Sequence, residues 1–257
     1  MVGLQTSIGN QGLIEYTRGN YDNALNLFRE QQSICEDIGY LRGLYKSLGN
    51  QGNIFLIKKE FKEALTLFEK EEQICSKIND VEGSQTAIGH LANLKSEMGF
   101  LDEALELYKK QEEICKKIHN CEWFQICLGR QAVIFREKGD INTALTLFTR
   151  QEEYCKKYGY SESLQRCLGN IGITYAIRQQ YEKALDNFHK QKEICEDKKY
   201  PIGLQQAIGN IAVIHHIQGH KDLAKKFYRE QERICRDIPY ELGLKECLKN
   251  LKKLNAE

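Results

Sequence analysis

Five asparagines recur in one 40-residue register: Asn10, Asn50, Asn170, Asn210 and Asn250, with His90 and Arg130 completing the row. A carboxamide donates and accepts hydrogen bonds, but asparagine is a mediocre helix former, so its repetition needs a reason. Spaced along a groove, such amides can bond the main chain of an extended peptide without reading its side chains. The same amides can instead bond one another as an internal ladder. One turn further on stand Leu13, Asn53, Asn93, Val133, Ile173 and Val213, then Tyr16, Leu56, Ser96, Arg136, Ala176 and His216. This lining is apolar toward the C-terminal end and polar near His90, Glu97, Arg130, Arg136 and Glu137. A mixed lining suits a partner carrying both hydrophobic anchors and charge.

Other chemistry is harder to find. The chain contains no Gly-x-x-x-x-Gly-Lys phosphate loop, His-Glu-x-x-His or Gly-x-Ser-x-Gly, and no enzymatic activity or cofactor is expected. His216 and His220 have the spacing of helical metal ligands, with His215 beside them, but Gly219 should end the helix between them. No metal site is expected. Six of the ten cysteines (Cys35, Cys75, Cys115, Cys155, Cys195, Cys235) share one register position. Successive members are on the order of 10 Å apart if the helices stack side by side, whereas a disulfide needs Cα atoms within about 7 Å. They read as small buried hydrophobes, reduced in the cytosol. The net charge of +1 leaves no electrostatic footprint for nucleic acid. No apolar run approaches a membrane span, and Met-Val-Gly-Leu-Gln lacks the regions of a secretory signal. A cytoplasmic protein is expected, with no membrane or nucleic-acid partner; a monomer is expected, with self-association as the alternative.

The elements that must position these residues follow from the period. Gly9, Gly49, Gly89, Gly129, Gly169 and Gly209 share the register, as do Ala24, Ala64, Ala104, Ala144, Ala184 and Ala224. A fixed period of this size means stacked supersecondary units that each contact only their neighbours. In residues 44–83, Leu44, Leu48, Gly52 and Phe55 form one helical stripe, and Phe61, Ala64, Leu65, Phe68, Ile74, Cys75 and Ile78 a second. Between them, Gly19, Gly99, Gly139 and Gly219 in the other units mark a left-handed helix end. Asp22, Glu63, Asp102, Glu182 and Asp222 sit where the dipole of the second helix favours them. Pro201 and Pro239 fall near turns between units and break no helix. The expected organisation is six tandem repeats, about 4–43, 44–83, 84–123, 124–163, 164–203 and 204–243, followed by a capping helix over 244–257.

Every second helix has an Ala-x-x-x-aromatic pair: Ala24/Phe28, Ala64/Phe68, Ala104/Tyr108, Ala144/Phe148, Ala184/Phe188 and Ala224/Tyr228. First helices carry Gly52-x-x-Phe55, Ala132-x-x-Phe135 and Gly172-x-x-Tyr175, while Gly12, Ala92 and Ala212 keep only the small residue. The chain therefore resembles a tetratricopeptide array of the longer repeat found in kinesin light chains, spindle-orientation adaptors of the Pins type and sensor arrays of signalling NTPases. The resemblance implies an all-α, right-handed solenoid of stacked antiparallel helix pairs, with first helices on its concave wall. It implies a peptide-binding adaptor or scaffold, with the row from Asn10 to Asn210 and its neighbours from Leu13 to Val213 facing the ligand. The alternatives are a sensor array of a larger signalling NTPase and a self-associating structural module.

Two departures from the family pattern bear on the groove. Gln31, Glu71, Gln111, Gln151, Gln191 and Gln231 stand where the family has a small alanine; a buried amide needs partners, and a bond to the turn between repeats is expected. Six helix-interior glycines cost about 1 kcal/mol each against alanine, so close approach of neighbouring repeats, or room for a ligand, must account for them. Residues 1–3 lead into the first helix without a capping element, whereas the last helix is polar at Lys245, Glu246, Lys249, Asn250, Lys252 and Lys253. The expectation is the C-terminal part of a longer protein.

Overall fold

The protein is described here by a computed structural model covering residues 1–238 and 240–256. Among the described residues it is built of thirteen α-helices and no strand. Six pairs run in chain order: α1 (Val2–Thr17) with α2 (Tyr21–Asp37), α3 (Leu41–Ile57) with α4 (Phe61–Lys77), and α5 (Val81–Glu97) with α6 (Leu101–Lys117). These are followed by α7 (Cys121–Glu137) with α8 (Ile141–Tyr158), α9 (Ser161–Ile177) with α10 (Tyr181–Lys198), and α11 (Pro201–Ile217) with α12 (Lys221–Asp237). A single helix, α13 (Glu241–Ala256), comes last. The chain divides into two compact units, Met1–Cys127 and Leu128–Glu257. Within each, consecutive helices pack on one another: α1 through α6 in the first, α8 through α13 in the second.

The turns show why helix pairs of constant length form. At the ends of α1 through α11, one residue turns left-handed and the amide after it reaches back five residues, the Schellman closure that satisfies carbonyls left over by the helix. Asn20 N–H donates to the Glu15 carbonyl (2.9 Å), Tyr40 to Cys35 (2.8 Å) and Glu60 to Phe55 (2.9 Å). Gly19, Gly99, Gly139 and Gly219 take the left-handed conformation as expected (φ +79 to +85°). Lys59 and Gln179 adopt it without being glycine, as do Asn79, His119 and Lys199 between pairs. Pro201 opens α11, where its missing N–H is harmless; Pro239 lies outside the described residues.

Core clusters join a second helix to the next first helix. Ala24 and Phe28 of α2 pack on Ile54 of α3, Ala64 and Phe68 of α4 on Leu94 of α5, and Ala184 and Phe188 of α10 on Ile211 and Ile214 of α11. Gly52 and Gly172 receive those rings: a Cβ there would lie 2.4 Å from the ring of Phe68 or Phe188. The cysteines fill a smaller gap between pairs. A Cβ at Gly43, Gly83 or Gly203 would come within 2.5–2.7 Å of the sulfur of Cys35, Cys75 or Cys195. Burial drives these thiols up, to about 12 at Cys75 and about 11 at Cys155 and Cys195, so they are poor nucleophiles.

The structure changes the reading of two sequence rows. The expected bond from the Gln/Glu row to the turn between repeats is not what forms. Gln31 Nε2 donates instead to Gln5 Oε1 (3.0 Å), Gln191 to Gln165 (3.1 Å) and Gln231 to Gln205 (3.0 Å), all on the first helix of the same pair. Gln111 donates to the backbone oxygen of Gln85 (3.1 Å). The helix-interior glycines serve the same contact, within a pair rather than between neighbouring repeats. A Cβ at Gly9, Gly49, Gly89, Gly129, Gly169 or Gly209 would meet the Gln or Glu head group at 2.4–2.8 Å. The long polar residue on one helix requires the missing side chain on the other.

This pairing can be tested in its last copy. Alanine at Gly209 gains about 1 kcal/mol of helix propensity but pushes Gln231 off Gln205, which costs about 1–3 kcal/mol for the stranded buried amides. Gly209→Ala is therefore expected to lower stability by about 1 kcal/mol in urea titrations. In a Gln231→Ala background the same change should raise it, because nothing remains to be displaced. Equal effects in both backgrounds would show that the two positions are not coupled.

Candidate functional site

The first helices carry the residues singled out by type and spacing, and the structure treats the two units differently. In the first unit, Asn10 is exposed and Asn50 half-buried. His90 is engaged: its Nδ1 lies 2.8 Å from Glu71 Oε2 and its Nε2 3.2 Å from Asn53 Nδ2. Since the amide nitrogen of Asn53 can only donate, Nε2 accepts and Nδ1–H donates to the carboxylate. Glu71 is 2% exposed, and the imidazole, stacked on Phe68 at 4.9 Å, is its partner across the pair boundary. Asn93 Oδ1 accepts from the Tyr108 hydroxyl (2.6 Å). Leu13 stands exposed.

In the second unit, Arg130 is exposed, and Val133, Arg136 and His216 are half-buried. Arg136 Nη1 donates to Asn170 Oδ1 (3.3 Å) and its guanidinium lies over the Phe148 ring (5.9 Å); burial lowers its pKa below the ordinary arginine value. His216 meets the Tyr228 ring edge-on at 6.5 Å. A cavity of about 460 Å³ opens along α9, α11 and α13. Asn170 and Ile173 line it from α9, Asn210 and Val213 from α11, and Asn250 from α13. The side chains of Asn210 and Asn250 make no hydrogen bond among the described residues, so the asparagines of this unit do not form a ladder with one another.

Sequence reasoning missed the residues behind this wall. Gln191 and Gln231 belong to second helices, yet both line the cavity beside Gly169 and Gly209. The absent side chains leave a window through which the second-helix amides face the groove. Gln205 and Tyr240 also line it. The signal was present in the paired Gly and Gln rows, but the turn bond assigned to the glutamines hid it.

The histidines of α11 have a structural setting. His215 stacks on Phe227 (5.6 Å between centroids, 9° between planes) and lies 5.7 Å from the His220 ring. Its Nδ1 is buried without a hydrogen bond. Phe55 and Phe135 hold this register position in other repeats, so the imidazole replaces an aromatic filler. Burial first, then the nearby His220 and His189, lowers its pKa. Among the described residues no group of three His, Cys, Asp or Glu is placed to hold a metal ion, and no helix is long and apolar enough to cross a membrane.

The family model described as tetratricopeptide repeat matches residues 205–238, which span most of α11, its turn and α12. The fold is a tetratricopeptide-type repeat array. No curated protein matches the sequence. Among solved structures, the chain is similar to a signal transduction ATPase with numerous domains carrying a tetratricopeptide repeat sensor, from Pyrococcus horikoshii. That likeness has a TM-score of 0.74 at 19% identity, over 93% of this chain and 37% of that one. A Rap protein complexed with competence and sporulation factor matches with a TM-score of 0.73 at 9% identity, over 97% of this chain and 74% of that one. Two structures of kinesin light chain nearly identical TPR-like repeats, from Podosopora anserina, give TM-scores of 0.57 and 0.59 at 18% identity, over 75–76% of this chain and 95–96% of those. This chain thus spans little more than a third of the ATPase. These identities establish the fold alone.

His215 gives the array a pH dependence whose sign is fixed. A histidine with a lowered folded-state pKa contributes full stability above its unfolded value, near 6.5, and loses it as pH falls toward the folded value. Between about pH 7 and pH 5, His215→Phe is expected to flatten the decline in melting temperature seen in the wild type. A parallel decline in both proteins would assign the acid sensitivity elsewhere.

Proposed function

We propose that the chain is a protein-interaction module, an adaptor or scaffold, that takes an extended peptide segment of its partner along the first helices of the second unit. One observation carries this reading: Asn210 and Asn250 stand on successive first helices, line one cavity and leave their amides without intramolecular partners. A helix former as mediocre as asparagine, kept in register and unpaired, is suited to a ligand main chain that offers alternating donors and acceptors. Ile173 and Val213 beside them supply apolar contact, and Ile177 and Ile217, one turn on, are more than half exposed. The groove so assembled binds an extended strand through main-chain hydrogen bonds, with aliphatic side chains against its apolar end. In the first unit the corresponding row is partly closed by the His90–Glu71 bond, which makes the second unit the stronger binder. No residue in this account performs chemistry on the peptide; it holds it.

The test uses octapeptides selected from a random library on the full chain and measured by fluorescence anisotropy. Each hydrogen bond contributes roughly 0.5–1.5 kcal/mol net, so Asn210→Ala/Asn250→Ala should weaken binding by about 1–3 kcal/mol. Its melting temperature should hold level or rise, alanine being the better helix former. Normal binding together with a clearly lower melting temperature would make these asparagines part of the scaffold and remove the groove's main support.

A further inference from the structure

The second-helix glutamines hold an unused hydrogen-bonding site. In Gln191 and Gln231 the nitrogen donates to Gln165 and Gln205, but Oε1 has no partner although it is buried. The residues are 2% and 4% exposed, and both line the cavity. A buried carbonyl oxygen left unpaired is destabilising; the vacancy stands at Gln31 in the first unit and recurs one repeat apart at Gln191 and Gln231 in the second. The first unit shows how it can be filled. Glu71 holds the register position of Gln191, and His90 that of Asn210. There the imidazole reaches in from the first-helix wall and places Nδ1–H 2.8 Å from the Glu71 oxygen. Asparagine, shorter by most of a ring, makes no such bond at Asn210 or Asn250. His90 thus acts as a built-in copy of a ligand donor: it demonstrates that a group on the groove side can reach the second-helix oxygen at this register position.

Resting on the groove reading above, we infer that the Gln191/Asn210 and Gln231/Asn250 pairs form two subsites for uncharged carboxamide side chains, glutamine or asparagine, of the bound peptide. Each pair offers an acceptor, the glutamine Oε1, beside a free donor, the asparagine Nδ2. A carboxamide complements both at once. An ammonium brings donors only and a carboxylate acceptors only, and each would be desolvated beside neutral amides. Successive first helices lie about 10 Å apart; a peptide in the polyproline II conformation rises about 3.1 Å per residue and returns to the same face every third residue, so the two carboxamides belong three residues apart.

The experiment measures acetylated, amidated octapeptide pools in which two positions three apart are fixed as Gln, Asn, Leu, Glu or Lys and the rest are mixed. Binding to the full chain is read by fluorescence anisotropy against Asn210→His/Asn250→His and Asn210→Ala/Asn250→Ala. The Gln or Asn pools are expected to bind the wild type roughly ten-fold more tightly than the Leu, Glu or Lys pools. In the histidine variant the introduced rings occupy the glutamine oxygens as His90 does at Glu71. That preference should vanish while the melting temperature holds or rises. The alanine variant, which leaves the oxygens open, should bind all pools more weakly yet retain a preference for the carboxamide pools. Pools that bind the wild type without distinction, or a preference that survives in the histidine variant, would overturn the carboxamide subsites and leave the groove standing. Failure of every pool to bind the wild type would overturn the groove and the subsites together.

Discussion

A buried amide laid across a bare stretch of helix backbone organises each repeat. The glutamine or glutamate of the second helix crosses to the first at the one position where no Cβ stands in its way. In the first and last two pairs it bonds a glutamine there. Burying a polar side chain is tolerable only when its hydrogen bonds are remade, and here the scaffold satisfies the amide nitrogens of Gln31, Gln191 and Gln231 and both ends of Gln111. The cost in helix propensity of a central glycine is offset by the space it provides. The aromatic and alanine contacts then close each pair against the next.

From this arrangement follows the character of the groove. In a repeat whose second helix carries a small residue at this point, the wall would be backbone and first-helix side chains alone. Here the second helix contributes as well, through the glycine window, so the cavity in the second unit is lined by carboxamides from both layers. The first unit uses the same opening differently. Glu71 is the single acidic member of its row, and His90 is the single histidine of the facing one. The two substitutions are meaningful only together, since a carboxylate buried to 2% exposure needs a donor.

Much of the fold was legible in the sequence. The 40-residue register placed both helices, the left-handed glycines at 19, 99, 139 and 219, the Ala-x-x-x-aromatic contacts and the buried cysteine row, because each follows from local geometry repeated without insertion. Helix starts were less clear: α3 begins at Leu41, ahead of the apolar stripe that opens at Leu44, since a first turn is set by backbone closure rather than by hydrophobic pattern. The destination of Gln31 and its counterparts was not legible. A side chain of three rotatable bonds can reach a turn or a facing helix, and only the packing distance decides. The candidate groove was half visible: Asn170, Ile173, Asn210 and Val213 share the cavity, whereas the contribution of Gln191 and Gln231 depends on a contact between two rows that spacing alone does not join.

The cysteines carry one more consequence. Cys35, Cys75 and Cys195 each lie over a glycine that opens the following helix pair, at Gly43, Gly83 and Gly203. Each thiol is thus sealed by one specific boundary between repeats and released when that boundary parts. A stack held only by nearest neighbours frays and opens boundary by boundary. The rate at which a thiol reagent modifies each of these sulfurs therefore reports the opening of its own boundary, giving the array an intrinsic set of reporters for how its cohesion is distributed along the chain.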